Sequence, residues 1–319
     1  MVQSDQSTSV EARFFQRELA VLGPDHPPSA WSLTEAQQYC RNWAHRSYEN
    51  FTVVSYLLPR RLRQDFQNIY AYCRWADNLA DEIAEPKESL RLLDWWQQQL
   101  LLCRSGRPAH PVLVALQDTI QRHQLPLDPF EHLLSAFRQD QTVNRYATAD
   151  DLQDYCRRSA NPVGRILLYL AQASDGENIA LSDQICTSLQ LANFCQDLSR
   201  DAGINRIYVP QSLCAEHAVE EAMLLRRQPT PELRHMLADW VATTRAGFHA
   251  GWPLVDRVPS WLATDVDLFV RGGLAILDAI EQAEYDVWTR RPTVSKFRKL
   301  QMLGQSLARC MLHASRGTK

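Results

Sequence analysis

The sequence predicts an all-α fold, and three observations carry that expectation. Apolar residues recur at helical spacing through most of the chain, with no alternating strand pattern of useful length. The breaks between these runs fall at proline and glycine. Two separate stretches also place aspartates four residues apart within otherwise apolar or aromatic segments, a spacing that puts both carboxylates on one helix face.

In chain order, residues 11–22 predict a short helix stopped by Gly23-Pro24, and the segment through Pro28 reads as loop. Ser32-Leu-Thr-Glu35 is a capping box opening the next helix. A polar cluster, His45 to Phe51, precedes an apolar segment ending at Leu58-Pro59. Arg60, Arg61 and Arg63 then read as a solvated helix start or as a contact with a membrane surface. The helix carrying Ile69 to Glu82 is expected to end at Pro86, because proline removes a backbone donor and clashes with the previous turn. Helical patterns follow at 90–103, 111–123 and 129–145, and another opens at Ala149. Pro162 should bend or interrupt that last one, and the small Ser159, Ala160 and Gly164 beside it would let a ligand approach closely. A long helix over 181–201 is ended by Gly203, and Asn205 to Pro210 forms a loop able to fold over a cavity mouth. Helices at 231–249, 261–284 and 295–313 complete the chain.

Gln190, Asn193, Asp197 and Asp201 form one polar stripe, while Leu189, Leu191, Ala192, Phe194, Cys195 and Leu198 make the rest of that helix apolar. A surface helix shows the reverse, an apolar stripe on a polar cylinder. Ionised carboxylates are not buried without compensation, so such a stripe should face a cavity. Asp77 and Asp81 repeat the spacing, with Arg74 one turn earlier. If the two pairs face one another, four carboxylates can hold hard divalent cations through oxygen, and Mg²⁺ keeps room for waters and substrate phosphate oxygens. The expectation is an Mg²⁺–diphosphate site, with no soft-metal pattern anywhere in the chain.

With 319 residues the chain can bury a large core, and its 45% hydrophobic content with nine tryptophans indicates a folded globular protein. A net charge of −3 gives no reason to expect nucleic-acid binding. Eight cysteines without a C-x-x-C pair read as reduced core thiols of a cytoplasmic protein. The N-terminus lacks signal-peptide character and no apolar run is long enough to cross a bilayer, so any lipid substrate implies peripheral contact with the inner membrane surface. Gly272-Gly273 lacks the spacing and the preceding strand of a dinucleotide fingerprint. Oligomeric state is not legible.

Four ordered blocks, Ser47 to Pro59, Tyr70-x-x-x-Arg74-x-x-Asp77-x-x-x-Asp81, Tyr155 to Gly164 and Gln190 to Pro210, resemble the squalene/phytoene synthase family of head-to-head isoprenyl diphosphate synthases over residues 45–290. The resemblance implies the isoprenoid synthase fold: a catalytic helical domain over 45–319 around a deep cavity, with 1–44 as a helical extension packed on it. It implies a prenyl diphosphate substrate and Mg²⁺ held by Asp77, Asp81, Asn193, Asp197 and Asp201. Ser47, Asn50, Tyr70, Arg74, Gln190, Gln196, Arg206, Tyr208 and Gly273 are then substrate-contacting positions. Tyr155 would steer a carbocation through its ring face or hydroxyl.

The phrases Tyr48-Glu-Asn-Phe51 and Leu57-Leu-Pro-Arg-Arg-Leu62 look most like the bacterial hydroxysqualene synthase branch, which serves hopanoid biosynthesis. That branch implies presqualene diphosphate and water as substrates and no need for NADPH. Two departures bear on this. Gln196 stands where many relatives carry arginine, which weakens the case for binding two diphosphates. Gly273 stands where hydrocarbon-forming relatives often have tyrosine, which would leave room for water. The alternatives are a presqualene diphosphate, squalene or phytoene synthase, or a noncatalytic helical assembly protein that keeps the fold. The Asp197/Asp201 pair speaks against a cyclising terpene synthase.

Overall fold

Helices follow one another along the chain in a computed structural model that describes residues 2–27, 29–46 and 58–316, and no strand occurs among the described residues. Ser47, Asn50, the Tyr48–Phe51 phrase and Leu57 lie outside the described residues. The chain divides into two compact units, residues 1–142 and 143–319.

In the first unit, α1 spans Val2–Leu22, beginning nine residues before the predicted start (11 − 2), and ends where the Gly23 amide bonds the Leu19 carbonyl at 2.9 Å. Helix α2, Leu33–Arg46, opens on the expected box: the Ser32 amide donates to Glu35 Oε2 at 2.9 Å and the Glu35 amide to Ser32 Oγ at 3.3 Å. After a 3₁₀ turn at Arg60–Leu62 come α3 (Arg63–Asp81), α4 (Pro86–Ser105), α5 (Pro111–His123) and α6 (Asp128–Asp140). Pro86 does not terminate α3, which stops at Asp81; it is the first residue of α4, where its missing N–H is no loss.

Phe66, Ile69, Tyr72, Trp75 and Leu79 recur every three or four residues and line the buried face of α3. Trp75 stacks on Trp96 of α4, ring centroids 5.4 Å apart, and meets Phe15 of α1 edge-on at 5.1 Å. Each large side chain so buried contributes about 1.5–3 kcal/mol of transfer free energy. This packing fixes the rotation of α3 and so leaves Tyr70, Arg74, Asp77 and Asp81 on its other face.

In the second unit, α7 (Ala149–Ser159) starts at a Thr148/Asp151 capping box. The expected interruption falls at Ala160, and α8 (Asn161–Leu170) restarts with Pro162 in its first turn. Helix α9 runs Gly176–Gly203, capped by Asp175, whose carboxylate accepts from the Glu177 and Asn178 amides. Short helices α10 (Gln211–Glu216) and α11 (Glu221–Arg226) lead to α12 (Pro231–Gly251), a 3₁₀ turn at Trp252–Asp256, α13 (Ser260–Gln282) and α14 (Lys296–Arg316). Helix α9 is central, packed by α8, α12 and α13. A Cβ on Gly164 would lie 2.3 Å from Ser182 Oγ and 2.6 Å from Cys186 Sγ, so this glycine lets α8 approach α9 rather than a ligand.

Cys40, Cys103, Cys156, Cys195 and Cys214 are buried and unpaired. No described helix is long and apolar enough to cross a membrane.

Candidate functional site

The two acidic pairs belong to different units. On α3, Tyr70, Arg74, Asp77 and Asp81 share the face opposite the aromatic core, with Asp77 half-buried and Asp81 exposed. Arg74 Nη1 donates to Asp77 Oδ2 at 2.5 Å, one turn along the same helix. The Asp77 carboxyl is nevertheless pushed up to about 6, by burial first and then by the neighbouring Asp81 charge, against the pull of Arg74.

On α9 the predicted stripe is present: Asn193 is exposed, Gln190, Asp197 and Asp201 are half-buried, and Ala192, Phe194, Cys195 and Leu198 are buried. Asp201 is likewise pushed up to about 6 by burial and by Asp197, opposed by Arg200, Arg206 and Arg291. Arg291 was not identifiable from the sequence pattern. Its Nε donates to Asp197 Oδ1 at 2.5 Å and its Nη2 to Asp197 Oδ2 at 3.0 Å, a two-point fork. The same Nη2 also donates to Gln196 Oε1 at 2.8 Å, and Gln196 Nε2 donates to the Pro292 carbonyl at 2.7 Å.

These contacts correct the expectation for Gln196. Its side chain is 4% exposed and both ends of its amide are engaged inside the protein, so it anchors the 291–292 segment. The charge argument changes with it, because Arg291 brings a guanidinium to the place where Gln196 lacks one.

Tyr155 is buried in a cluster of rings. It lies 5.5 Å from Tyr146, 6.0 Å from Tyr208 and 6.3 Å from Phe194 between centroids. Phe194, on the stripe's flank, stacks on Tyr208 at 3.9 Å. The 205–210 loop is therefore packed down: Ile207 and Val209 are buried, and the Ile207 amide bonds the Asn144 carbonyl at 3.0 Å. The Arg206 amide bonds the Asp201 carbonyl at 2.9 Å, which holds that arginine at the acidic end of α9.

Gly273 does not leave room for water. A Cβ there would lie 2.0 Å from Phe248 Cζ and 2.6 Å from Cε1, so the Phe248 ring already fills the space a side chain would take. The neighbouring Gly272 is the open one, with nothing within 4 Å of a Cβ. One further group was missed: Asp265 on α13 is 1% exposed, neither carboxyl oxygen has a partner, and burial pushes it up to about 8. Among the described residues, no three His, Cys, Asp or Glu side chains cluster as a metal site.

Comparison with known proteins gives the family. The family model described as squalene/phytoene synthase matches residues 44–298. A phytoene synthase from Arthrospira platensis is 30% identical over 290 residues, covering 85% of this chain and 92% of its own. A hydroxysqualene synthase from Zymomonas mobilis is 38% identical over 174 residues, covering 52% of this chain and 56% of its own. The crystal structure of squalene synthase HpnC from Alicyclobacillus acidocaldarius superposes with a TM-score of 0.77 at 39% identity, covering 80% of this chain and 96% of that one. The all-α fold is the isoprenoid synthase type of such structures.

Proposed function

The chain belongs to the squalene/phytoene synthase family, and from that premise we propose that it converts presqualene diphosphate and water to hydroxysqualene and diphosphate. The observation that carries the diphosphate chemistry is the polar stripe of Asn193, Asp197 and Asp201 on a helix otherwise buried, matched by Asp77 and Asp81. The 38–39% identities to a hydroxysqualene synthase and to HpnC support the branch.

These donors suit Mg²⁺: every one is an oxygen, and Asp77 and Asp201 carry negative charge that their neighbours leave undercompensated. When bound, the metal would offset the charge that develops on the departing diphosphate. Arg74, with Tyr70 beside it on the same face of α3, and Arg206 at the acidic end of α9 are the cations that each stripe would offer a diphosphate. The carbon–oxygen bond breaks with its electron pair leaving on diphosphate. The resulting cation then needs an apolar, electron-rich wall, which the Tyr155 cluster supplies through its ring faces. Capture by a water oxygen, with loss of one water proton, completes the balance. The catalytic domain is taken as 45–319. The 1–44 extension packs through α2 on α3 and α5.

A second reading, condensation of two prenyl diphosphates, is favoured by one specific observation. Arg291 restores the positive charge at Gln196 and Asp197 that a second diphosphate requires. Incubation of the purified protein with presqualene diphosphate and Mg²⁺, without NADPH, tests the first reading. An alcohol product is expected. Inertness toward presqualene diphosphate combined with consumption of farnesyl or geranylgeranyl diphosphate would overturn it in favour of the second.

A further inference from the structure

Asp197, a proposed metal ligand, is fully engaged by another cation. The Arg291 guanidinium takes both of its carboxylate oxygens. A metal ion needs at least one of those oxygens, and two cations do not share a carboxylate without mutual repulsion. Gln196 makes the arrangement specific. Its buried amide accepts from Arg291 and donates to Pro292, so it aims the guanidinium at its sequence neighbour. At its other end the segment is fixed by Asp286, whose carboxylate accepts from the Trp288 and Thr289 amides at 3.1 and 2.9 Å. An alternative place for the guanidinium exists. Arg291 also lines a cavity of about 440 Å³ with Asp286, Thr289, Arg290 and Thr293.

We propose that Arg291 is a resident counterion latch: it occupies Asp197 while no metal is bound, and metal loading displaces it into the neighbouring cavity. This rests on the reading of Asp197 as a metal ligand. Two consequences follow. The latch screens the Asp197/Asp201 repulsion in the empty protein, and it lowers the apparent affinity for divalent metal by the fraction of time it holds Asp197. Arg291 is half-exposed and solvent-screened, so its removal should tighten Mg²⁺ binding by about 3- to 10-fold rather than by orders of magnitude.

The test is calorimetric titration of the full chain with Mg²⁺ alone and with Mg²⁺ plus inorganic pyrophosphate, in wild type, Arg291→Met and Arg291→Lys. For Mg²⁺ alone, the expected order of affinity is Met tightest, Lys intermediate and wild type weakest. Amide exchange in 288–293 should rise on Mg²⁺ addition only in wild type. A simple loss of packing would weaken metal binding in both variants and would raise exchange without metal. Equal or weaker Mg²⁺ binding by Arg291→Met, with wild type binding Mg²⁺ measurably, overturns the latch alone. Absence of Mg²⁺ binding in all three proteins, with pyrophosphate or without, overturns the latch together with the metal reading beneath it.

Discussion

The α3 and α9 stripes use the same Asp-x-x-x-Asp spacing and neutralise it by different routes. Asp77 is met by Arg74 from the preceding turn of its own helix, whereas Asp197 is met by Arg291 from 94 residues away. The second carboxylate of α3, Asp81, is exposed, and that of α9, Asp201, is half-buried. One carboxylate in each stripe, Asp77 and Asp201, nevertheless rises to about 6 for the same reason, burial beside a like charge. Local spacing therefore sets where the acids lie, while the source of their counterions is a property of the tertiary fold.

The comparison breaks most decisively at the carboxylates themselves. If both stripes hold the departing diphosphate through metal, Asp77→Asn and Asp197→Asn should each lower diphosphate release from presqualene diphosphate by about 10²–10³-fold, the usual size for removing a group aimed at developing charge. Equal losses would mark the stripes as equivalent partners, and an unaffected α3 variant would leave α9 working alone. The pH dependence should be shared. Asp77 and Asp201 must be ionised to act as ligands, and each takes up its proton near 6. Activity at fixed subsaturating Mg²⁺ should therefore fall as pH drops from 7 toward 5, and excess Mg²⁺ should move the midpoint down.

Helix α13 offers a third treatment of a carboxylate, and it sharpens the contrast by omitting the counterion altogether. Asp267 is 0% exposed yet receives Trp252, Arg271, Ser306 and Arg309, and it is held below the usual range by the side-chain hydrogen bonds from Ser306, Arg271 and Trp252 and by the Arg271 charge, against the cost of burial. Asp265, two residues earlier, receives nothing and is raised to about 8 by burial alone. A raised carboxyl destabilises in a definite window. Below the unfolded value near 3.8 both states are protonated and there is no penalty. From there to about 8 the unfolded chain gives up its proton while the folded one keeps it, so folding stability declines with pH by up to about 1.4 kcal/mol per unit. Asp265→Leu should therefore stabilise more at pH 8 than at pH 4, the difference growing to about 5 kcal/mol across that range. Denaturant melts at the two pH values measure this, and a pH-independent difference would refute it.

How much was legible follows the same division. Most of the long helices, the Ser32 box, the Pro162 break and the α9 stripe were readable, because each depends on residues within one or two turns, whereas the short helices at Gln211–Glu216 and Glu221–Arg226 were missed. Pro86 was assigned to the wrong helix, since proline both stops one helix and starts the next, and only the chain's path decides which. Gln196 was read as a lost charge because its neighbour Arg291 is brought in by the fold. Asp265 was invisible because nothing in its local pattern distinguishes an unpartnered aspartate from the well-partnered Asp267 beside it.

Gly272 and Gly273 show the same division at its smallest scale. In sequence they are equivalent, and a glycine in place of a large side chain suggests empty space at either. The fold separates them, because one direction from α13 is occupied by the fully buried Phe248 ring and the other is open. Gly273→Ala forces a methyl group against atoms of the fully buried Phe248 ring 2.0–2.8 Å away, so it should cost about 1–3 kcal/mol, the usual penalty for overpacking a filled core. Phe248→Leu introduced with it should recover part of that loss, since the shortened side chain vacates the clash. Gly272→Ala meets nothing and removes helix-interior glycine entropy, so it should stabilise by about 0.5–1 kcal/mol. If room at this helix governs access of water to the cation, Gly272→Tyr is the substitution that should shift product from alcohol toward hydrocarbon. An unchanged product ratio in folded Gly272→Tyr would separate the glycine pair from the chemistry altogether.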